Sequence, residues 1–236
     1  CLRSLASLKI QKQPCVSSSL DIKFMKSKRS LLKRSQLYLI LDKPTAAQRS
    51  LDNLVSKILN SKIGILQLRD KHCAKSDLLN LAISLSQRLK KSKILFIIND
   101  HPDIAILAKA DGLHLGQMDL PISAARKLLG KNKIIGVSCH NLRQALKAQK
   151  DGADYIGIGP VYETSTKPGS SVIGVKVLKQ LKNKINIPYF AIGNICKSNI
   201  NRVVSAGVRQ VAVCRAILNS ENIPQAAAEL LAELRI

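Results

Sequence analysis

Residues 63–71 read Ile63-Gly64-Ile65-Leu66-Gln67-Leu68-Arg69-Asp70-Lys71. The run begins apolar, which is the signature of a strand covered on both faces. It then sets Gln67, Arg69 and Lys71 two residues apart, so that in an extended chain all three project to one side. An amide and two cations cannot line a packed core without partners, because unpaired buried charge is strongly unfavourable. Converging at the end of a buried strand, they suit a cradle for a polyanion; a frayed strand end reaching water is the plainer alternative. What separates the two readings is whether other strands end the same way.

Working outward, short apolar runs recur at 36–41, 63–69, 94–98, 111–115, 133–138, 154–158, 188–193 and 210–214. Between them lie stretches with apolar residues at three- and four-residue spacing, such as Leu51, Leu54, Val55, Ile58 and Leu59, or Leu78, Leu79, Ala82, Leu85 and Leu89. Further helix-like stretches cover about 101–109, 120–129, 141–150, 174–183, 197–206 and 222–235. Short strands alternating with helices indicate parallel pairing through βαβ units. Eight of each is the count that closes a (β/α)8 TIM barrel, an α/β fold, over 36–236. An open doubly wound sheet uses the same elements, but no GxGxxG or GxxxxGK[ST] phosphate loop follows any strand.

In a barrel the carboxyl ends of the strands share one face, and here nearly all of them are polar. The third strand ends in Asn99-Asp100, and the fourth runs through His114, Gly116 and Gln117 to Asp119. Ser138 and His140 end the fifth, Gly193-Asn194 the seventh and Cys214-Arg215 the eighth. The sixth enters a loop, Gly159 to Gly169, carrying Thr164, Ser165, Thr166 and Lys167, a composition suited to closing over an anion. Asp100 and Asp119 follow neighbouring strands, so their carboxylates are expected to meet. Two carboxylates without a cysteine or histidine pair suit a hard cation, Mg²⁺, held partly by substrate phosphate. Both also precede helix-like stretches and would serve as caps. His114 and His140 are read as packed or hydrogen-bonded histidines. With cations, hydroxyls and an expected Mg²⁺ but no evident base or nucleophile, the site suits a reaction in which diphosphate leaves and the protein stabilises its charge.

Composition narrows the partners. No segment approaches the roughly 20 apolar residues of a membrane helix. Six cysteines are scattered without metal-ligand spacing, as expected of reduced thiols in a cytoplasmic compartment, with Cys139 and Cys214 as small core residues. The net charge of +23 attracts phosphate-bearing ligands in general. Because only 3% of residues are aromatic and none is Trp, the excess reads as a solvated lysine-rich surface rather than a nucleic-acid interface. Residues 1–35 hold nine Lys or Arg against Asp21 alone and lack a hydrophobic period, so they are expected to be a disordered basic tail. They carry no secretory apolar core; an organellar transit peptide shares the composition, and Met25 is a candidate start. A homo-oligomer is compatible with all of this.

The motifs together resemble the thiamine-phosphate synthases and the related TenI-type thiazole tautomerases. They are Gln67–Lys71, Asn99-Asp100, the run Ala110–Asp119, Gly136–His140, the run Asp154–Lys167 and Ala191–Gly193, in family order. The resemblance implies a barrel enzyme that joins a hydroxymethylpyrimidine diphosphate to a thiazole phosphate, or to its carboxylated form, giving thiamine phosphate and diphosphate. It implies Gln67, Leu68, Arg69, Asp70, Lys71, Asn99, Ser138, Thr164, Thr166, Lys167, Asn194, Cys214 and Arg215 as substrate contacts. Arg69, Lys71, Ser138 and Lys167 are the catalytic members, and Asp100 with Asp119 would hold Mg²⁺. Two positions depart from the pattern: Asn194 stands where the family usually has glycine, and Arg215 where it usually has serine. Asn tolerates the left-handed backbone, and Arg215 either replaces a hydroxyl contact with a charge-assisted one or pairs with an acid such as Glu221. A tautomerase, or a barrel that only binds phosphates or nucleic acid, are the alternatives carried alongside the synthase.

Overall fold

The computed structural model describes residues 19–46, 49–164 and 171–235. Eight parallel strands close into a barrel in chain order. They are β1 (Leu37–Asp42), β2 (Ile65–Arg69), β3 (Leu95–Asn99), β4 (Gly112–Leu115), β5 (Ile134–Cys139), β6 (Tyr155–Ile158), β7 (Tyr189–Ile192) and β8 (Val211–Val213). The helices are α1 (Ser19–Arg34), α2 (Lys43–Ala46), α3 (Leu51–Leu59), α4 (Lys75–Leu89), α5 (Pro102–Leu107), α6 (Ile122–Leu129), α7 (Leu142–Lys150), α8 (Gly174–Leu181), α9 (Ile200–Ser205), α10 (Arg215–Leu218) and α11 (Ile223–Leu234). Each strand lies within two residues of the apolar run that announced it. The open-sheet alternative is excluded, because β1 pairs with both β2 and β8.

Alternation along each strand sorts the core into two layers. Leu66, Leu68, Phe96, Ile98, Leu113 and Ile156 face outward and pack under the helices. Tyr38, Ile65, Leu95, Ile134, Tyr155 and Phe190 face inward and fill the barrel. Helix stripes complete the outer layer: Leu54, Val55 and Ile58 of α3, and Leu78, Ala82, Leu85 and Leu89 of α4, are buried against it. Caps follow local rules. Asn141 accepts from the Gln144 N–H to start α7, and Asn222 does the same for Gln225 in α11.

The expectation of a disordered tail over residues 1–35 is corrected only from Ser19 onward. Residues 1–18 lie outside the described residues, but α1 runs from Ser19 to Arg34 and its last turns close the amino-terminal end of the barrel. Leu32, 1% exposed, inserts among the inward-facing residues of the strands. Lys28 pairs with Asp111 at 2.6 Å and Arg29 with Asp154 at 3.0 Å. Gly64 leaves room for the chain leaving α1, since a Cβ there would lie 2.3 Å from Ser35 Oγ. The segment looked tail-like because its charged partners, Asp111 and Asp154, are distant in sequence. Leu32→Ala is expected to cost about 2–4 kcal/mol, read as a lower urea midpoint at unchanged slope; an unchanged midpoint would show that α1 does not plug the barrel.

Candidate active site

A cavity of about 450 Å³ opens at the carboxyl ends of the strands, within the size range of small-molecule sites. Gln67, Arg69, Asn99, Ser138, Thr164, Asn194, Cys214 and Arg215 all line it. The inward side of β2 delivers two of these: Gln67 and Arg69 follow Ile65 at two-residue spacing, as their positions in the sequence predict. Lys71 lies beyond the strand end, exposed, with its ammonium 3.3 Å from Asp100. Two members of the motif are corrected. Leu68 is 1% exposed and packs in the outer, helix-facing layer, because alternation turns it away from the cavity. Asp70 is buried and accepts from the His72 and Cys73 N–H groups, building the turn after β2. Thr166 and Lys167 fall outside the described residues.

Arg69 donates to Asp42 Oδ1 at the end of β1, and Thr45 Oγ1 donates to the other carboxylate oxygen at 2.9 Å. Asp42 is 5% exposed, so this pair is fixed in a setting where loss of either partner strands a charge. It uses one arm of the guanidinium, leaving further donors of the planar fork for a ligand. Across the mouth, Asn194 adopts a positive φ of 48° after Gly193 at 113°, so asparagine does keep the left-handed turn. Arg215 Nη2 approaches Asn194 Oδ1 at 3.5 Å, bringing the two departures from the family pattern together.

Asp100 and Asp119 meet as expected. Burial raises the Asp100 carboxyl above its usual range, and the hydrogen bond and charge of Asp119 raise it further, with Lys71 opposing. Asp119 is also held by the Gly116 N–H at 2.5 Å. Two carboxylates pressed together are relieved by a divalent cation. Among the described residues no group of three or more His, Cys, Asp or Glu side chains is placed to hold a metal. A two-carboxylate donor set fits Mg²⁺, which keeps waters and takes substrate phosphate oxygens.

Three cavity residues escaped the sequence reading as a unit: Tyr38, Tyr155 and His114. Gln67 Nε2 donates to Tyr38 Oη at 2.8 Å, and Tyr38 Oη lies 2.9 Å from Tyr155 Oη. His114 bridges Tyr155 Oη through Nδ1 and Ser138 Oγ through Nε2, each at 2.9 Å. Glycines make the space. Tyr155 sits beside Gly136 in the register, where a Cβ would lie 2.0 Å from the ring. The available signal was a tyrosine inside each of two aliphatic strands, one of them facing a glycine. His140 is also hydrogen-bonded, through Nδ1 to the Gly159 carbonyl at 2.5 Å.

Neither Cys139 nor Cys214 is an activated thiol. Burial pushes the Cys139 thiol up to about 12, and burial together with the nearby Asp42 charge pushes Cys214 up to about 11.

The family model described as "Thiamine monophosphate synthase" matches residues 37–217. Thiamine-phosphate synthase of Clostridium acetobutylicum is 39% identical over 188 residues, covering 80% of this chain and 89% of that protein. The enzyme of the same name from Prochlorococcus marinus subsp. pastoris is 42% identical over 215 residues, 91% of this chain, which spans 60% of that relative's length. Among solved structures, thiamine phosphate pyrophosphorylase from Pyrococcus furiosus superposes with a TM-score of 0.77 at 32% identity, covering 87% of this chain and 98% of that one.

Native protein treated with a thiol alkylating reagent at pH 8 is expected to keep Cys139 and Cys214 unmodified, with Cys214 reacting only as pH nears about 11. Mass spectrometry of the digest reads this directly, and rapid modification of Cys214 at pH 8 would contradict it.

Proposed function

The chain belongs to the thiamine monophosphate synthase family, and from that premise we propose how its residues divide the work of the reaction. It is a transferase that forms thiamine phosphate and releases diphosphate. The observation that carries our assignment of roles is the gathering of Gln67, Arg69, Asn99 and Ser138 on one cavity, with the Asp100–Asp119 pair in the segments that follow β3 and β4.

The pyrimidine diphosphate binds with its heterocycle against Gln67. The amide nitrogen of Gln67 is committed to Tyr38, so its oxygen is the acceptor left for a ring amine. Its diphosphate faces Arg69, Lys71, Asn99 and Ser138, and the family pattern assigns Lys167 to the same group. The carbon–oxygen bond breaks with its electron pair going to diphosphate, and the pyrimidinyl-methyl cation is captured by the nitrogen of the thiazole phosphate. The fixed donors stabilise charge as it develops on the leaving group. Apolar walls from Tyr155, Phe190 and Ile192 limit access of water to the cation. Asp100 and Asp119 would hold Mg²⁺, which when bound would neutralise charge on the departing diphosphate. Thr164, Asn194, Cys214 and Arg215 face the thiazole half, to which the family pattern also assigns Thr166, and the Arg215 guanidinium offers a charge-assisted contact to phosphate there.

Among the described residues no helix is long and apolar enough to cross a membrane. Cys73, Cys139, Cys196 and Cys214 are free thiols, which supports a reducing, cytoplasmic compartment.

Diphosphate release by the purified chain is expected to require both substrates and Mg²⁺ and to stop on chelation. Lys71→Ala and Asp100→Asn are each expected to lower it by about 10²-fold. No release by the unaltered chain, or full activity in Lys71→Ala, would overturn these roles.

A further inference from the structure

We infer that Gln67, Tyr38, Tyr155 and His114 form a one-way hydrogen-bond chain that fixes the Ser138 hydroxyl as a donor into the cavity. The inference rests on the proposed function, within which these four would act on Ser138 as a connected set. The observation behind it is geometric: four consecutive contacts of 2.8 to 2.9 Å run from Gln67 across the barrel to Ser138. Gln67, Tyr38, Tyr155 and His114 are 3%, 2%, 0% and 8% exposed, so they are nearly shut off from water.

Proton bookkeeping decides the direction. Each phenol has one hydrogen to give, and each of these two has two neighbours. Gln67 Nε2 donates to Tyr38 Oη, so Tyr38 satisfies its own hydrogen only by donating to Tyr155. Tyr155, having accepted, donates to His114 Nδ1. A neutral imidazole accepting at Nδ1 carries its proton on Nε2, and it passes that proton's hydrogen bond to Ser138 Oγ. Ser138 thereby accepts from within the protein, and its own hydrogen is left for the cavity that it lines. Mixed directions fail: if Tyr155 also donated to Tyr38, the Tyr38 hydrogen would be buried without an acceptor, which is costly. Only complete reversal, beginning from a turned Gln67 amide, satisfies every group; it would hand the Ser138 hydrogen to His114 and leave an acceptor facing the ligand.

Burial raises both phenols well above their ordinary range, so they keep their hydrogens at working pH. An anionic leaving group needs a donor, and the forward direction supplies one held in place before the substrate arrives. His114, Tyr155 and Tyr38 are therefore positioning residues, and Ser138 is the group that touches the ligand.

The test has two parts. Two-dimensional ¹⁵N NMR of the labelled full chain, with His114→Asn to assign the signal, reads which ring nitrogen carries the proton. A protonated Nε2 with unprotonated Nδ1 is expected, and the opposite tautomer overturns the inference without reference to activity. Steady-state diphosphate release then compares Tyr155→Phe, Ser138→Ala and the double variant. Tyr155→Phe is expected to lower kcat about tenfold with KM for the pyrimidine diphosphate little changed. The double variant is expected to be no slower than Ser138→Ala alone, since Tyr155 acts through Ser138. Losses that multiply would assign Tyr155 an independent structural role and overturn the chain. If the unaltered protein releases no diphosphate, the functional reading fails, and the tautomer alone decides the direction.

Discussion

A closed parallel barrel has no free sheet edge, so each strand presents one row of side chains to a shared interior and the other to the helices. The rest of this structure follows from that partition. At the amino-terminal end the interior is plugged by Leu32 of α1, and the inward rows there are apolar. Further along, the inward rows change to Tyr38, Gln67, His114 and Tyr155, which are polar yet still almost inaccessible. Groups in that position must satisfy one another, and among the described residues no buried side-chain nitrogen or oxygen lacks a partner. Beyond them come Arg69, Asn99 and Ser138 at the mouth. The interior thus grades from dry core through a self-satisfied polar layer to a site built for an anion.

Charge is arranged on the same plan. The chain is strongly cationic, yet its acids are placed where they set geometry. Asp42 steadies Arg69, and Asp111 and Asp154 anchor α1 to the barrel. Asp154 also takes Arg126 at 2.7 Å and the Ile135 N–H at 2.9 Å, joining α1, α6 and β5 at a single carboxylate. Asp100 and Asp119 are the exception, because they face each other: burial and the nearby Asp119 raise the Asp100 carboxyl, with the Lys71 ammonium opposing.

The strands were legible because an apolar run of four to six residues with a polar end is too short for a buried helix and too apolar for a loop. Their order followed from the βαβ alternation. The polar ends identified Gln67, Arg69, Asn99 and Ser138 for the same reason. Leu68 and Asp70 were drawn in by adjacency within a motif, whereas alternation puts one under the helices and the other into a turn. The last turns of α1 escaped because the carboxylates that receive them are remote in the chain, Asp154 lying 125 residues from Arg29.

By itself, then, the sequence determined the eight βα units, the face on which polar residues gather, and the two carboxylates that meet there. All of these depend on spacing within a strand or on the order of neighbouring strands. Only the tertiary structure decided that Leu32 closes the barrel, that Arg215 meets Asn194, and that Gln67, Tyr38, Tyr155, His114 and Ser138 form one chain. Those contacts join β1, β2, β4, β5 and β6 across the interior. The physical reason is that a hydrogen bond is settled within a few tenths of an ångström, a scale that barrel closure sets and local periodicity does not.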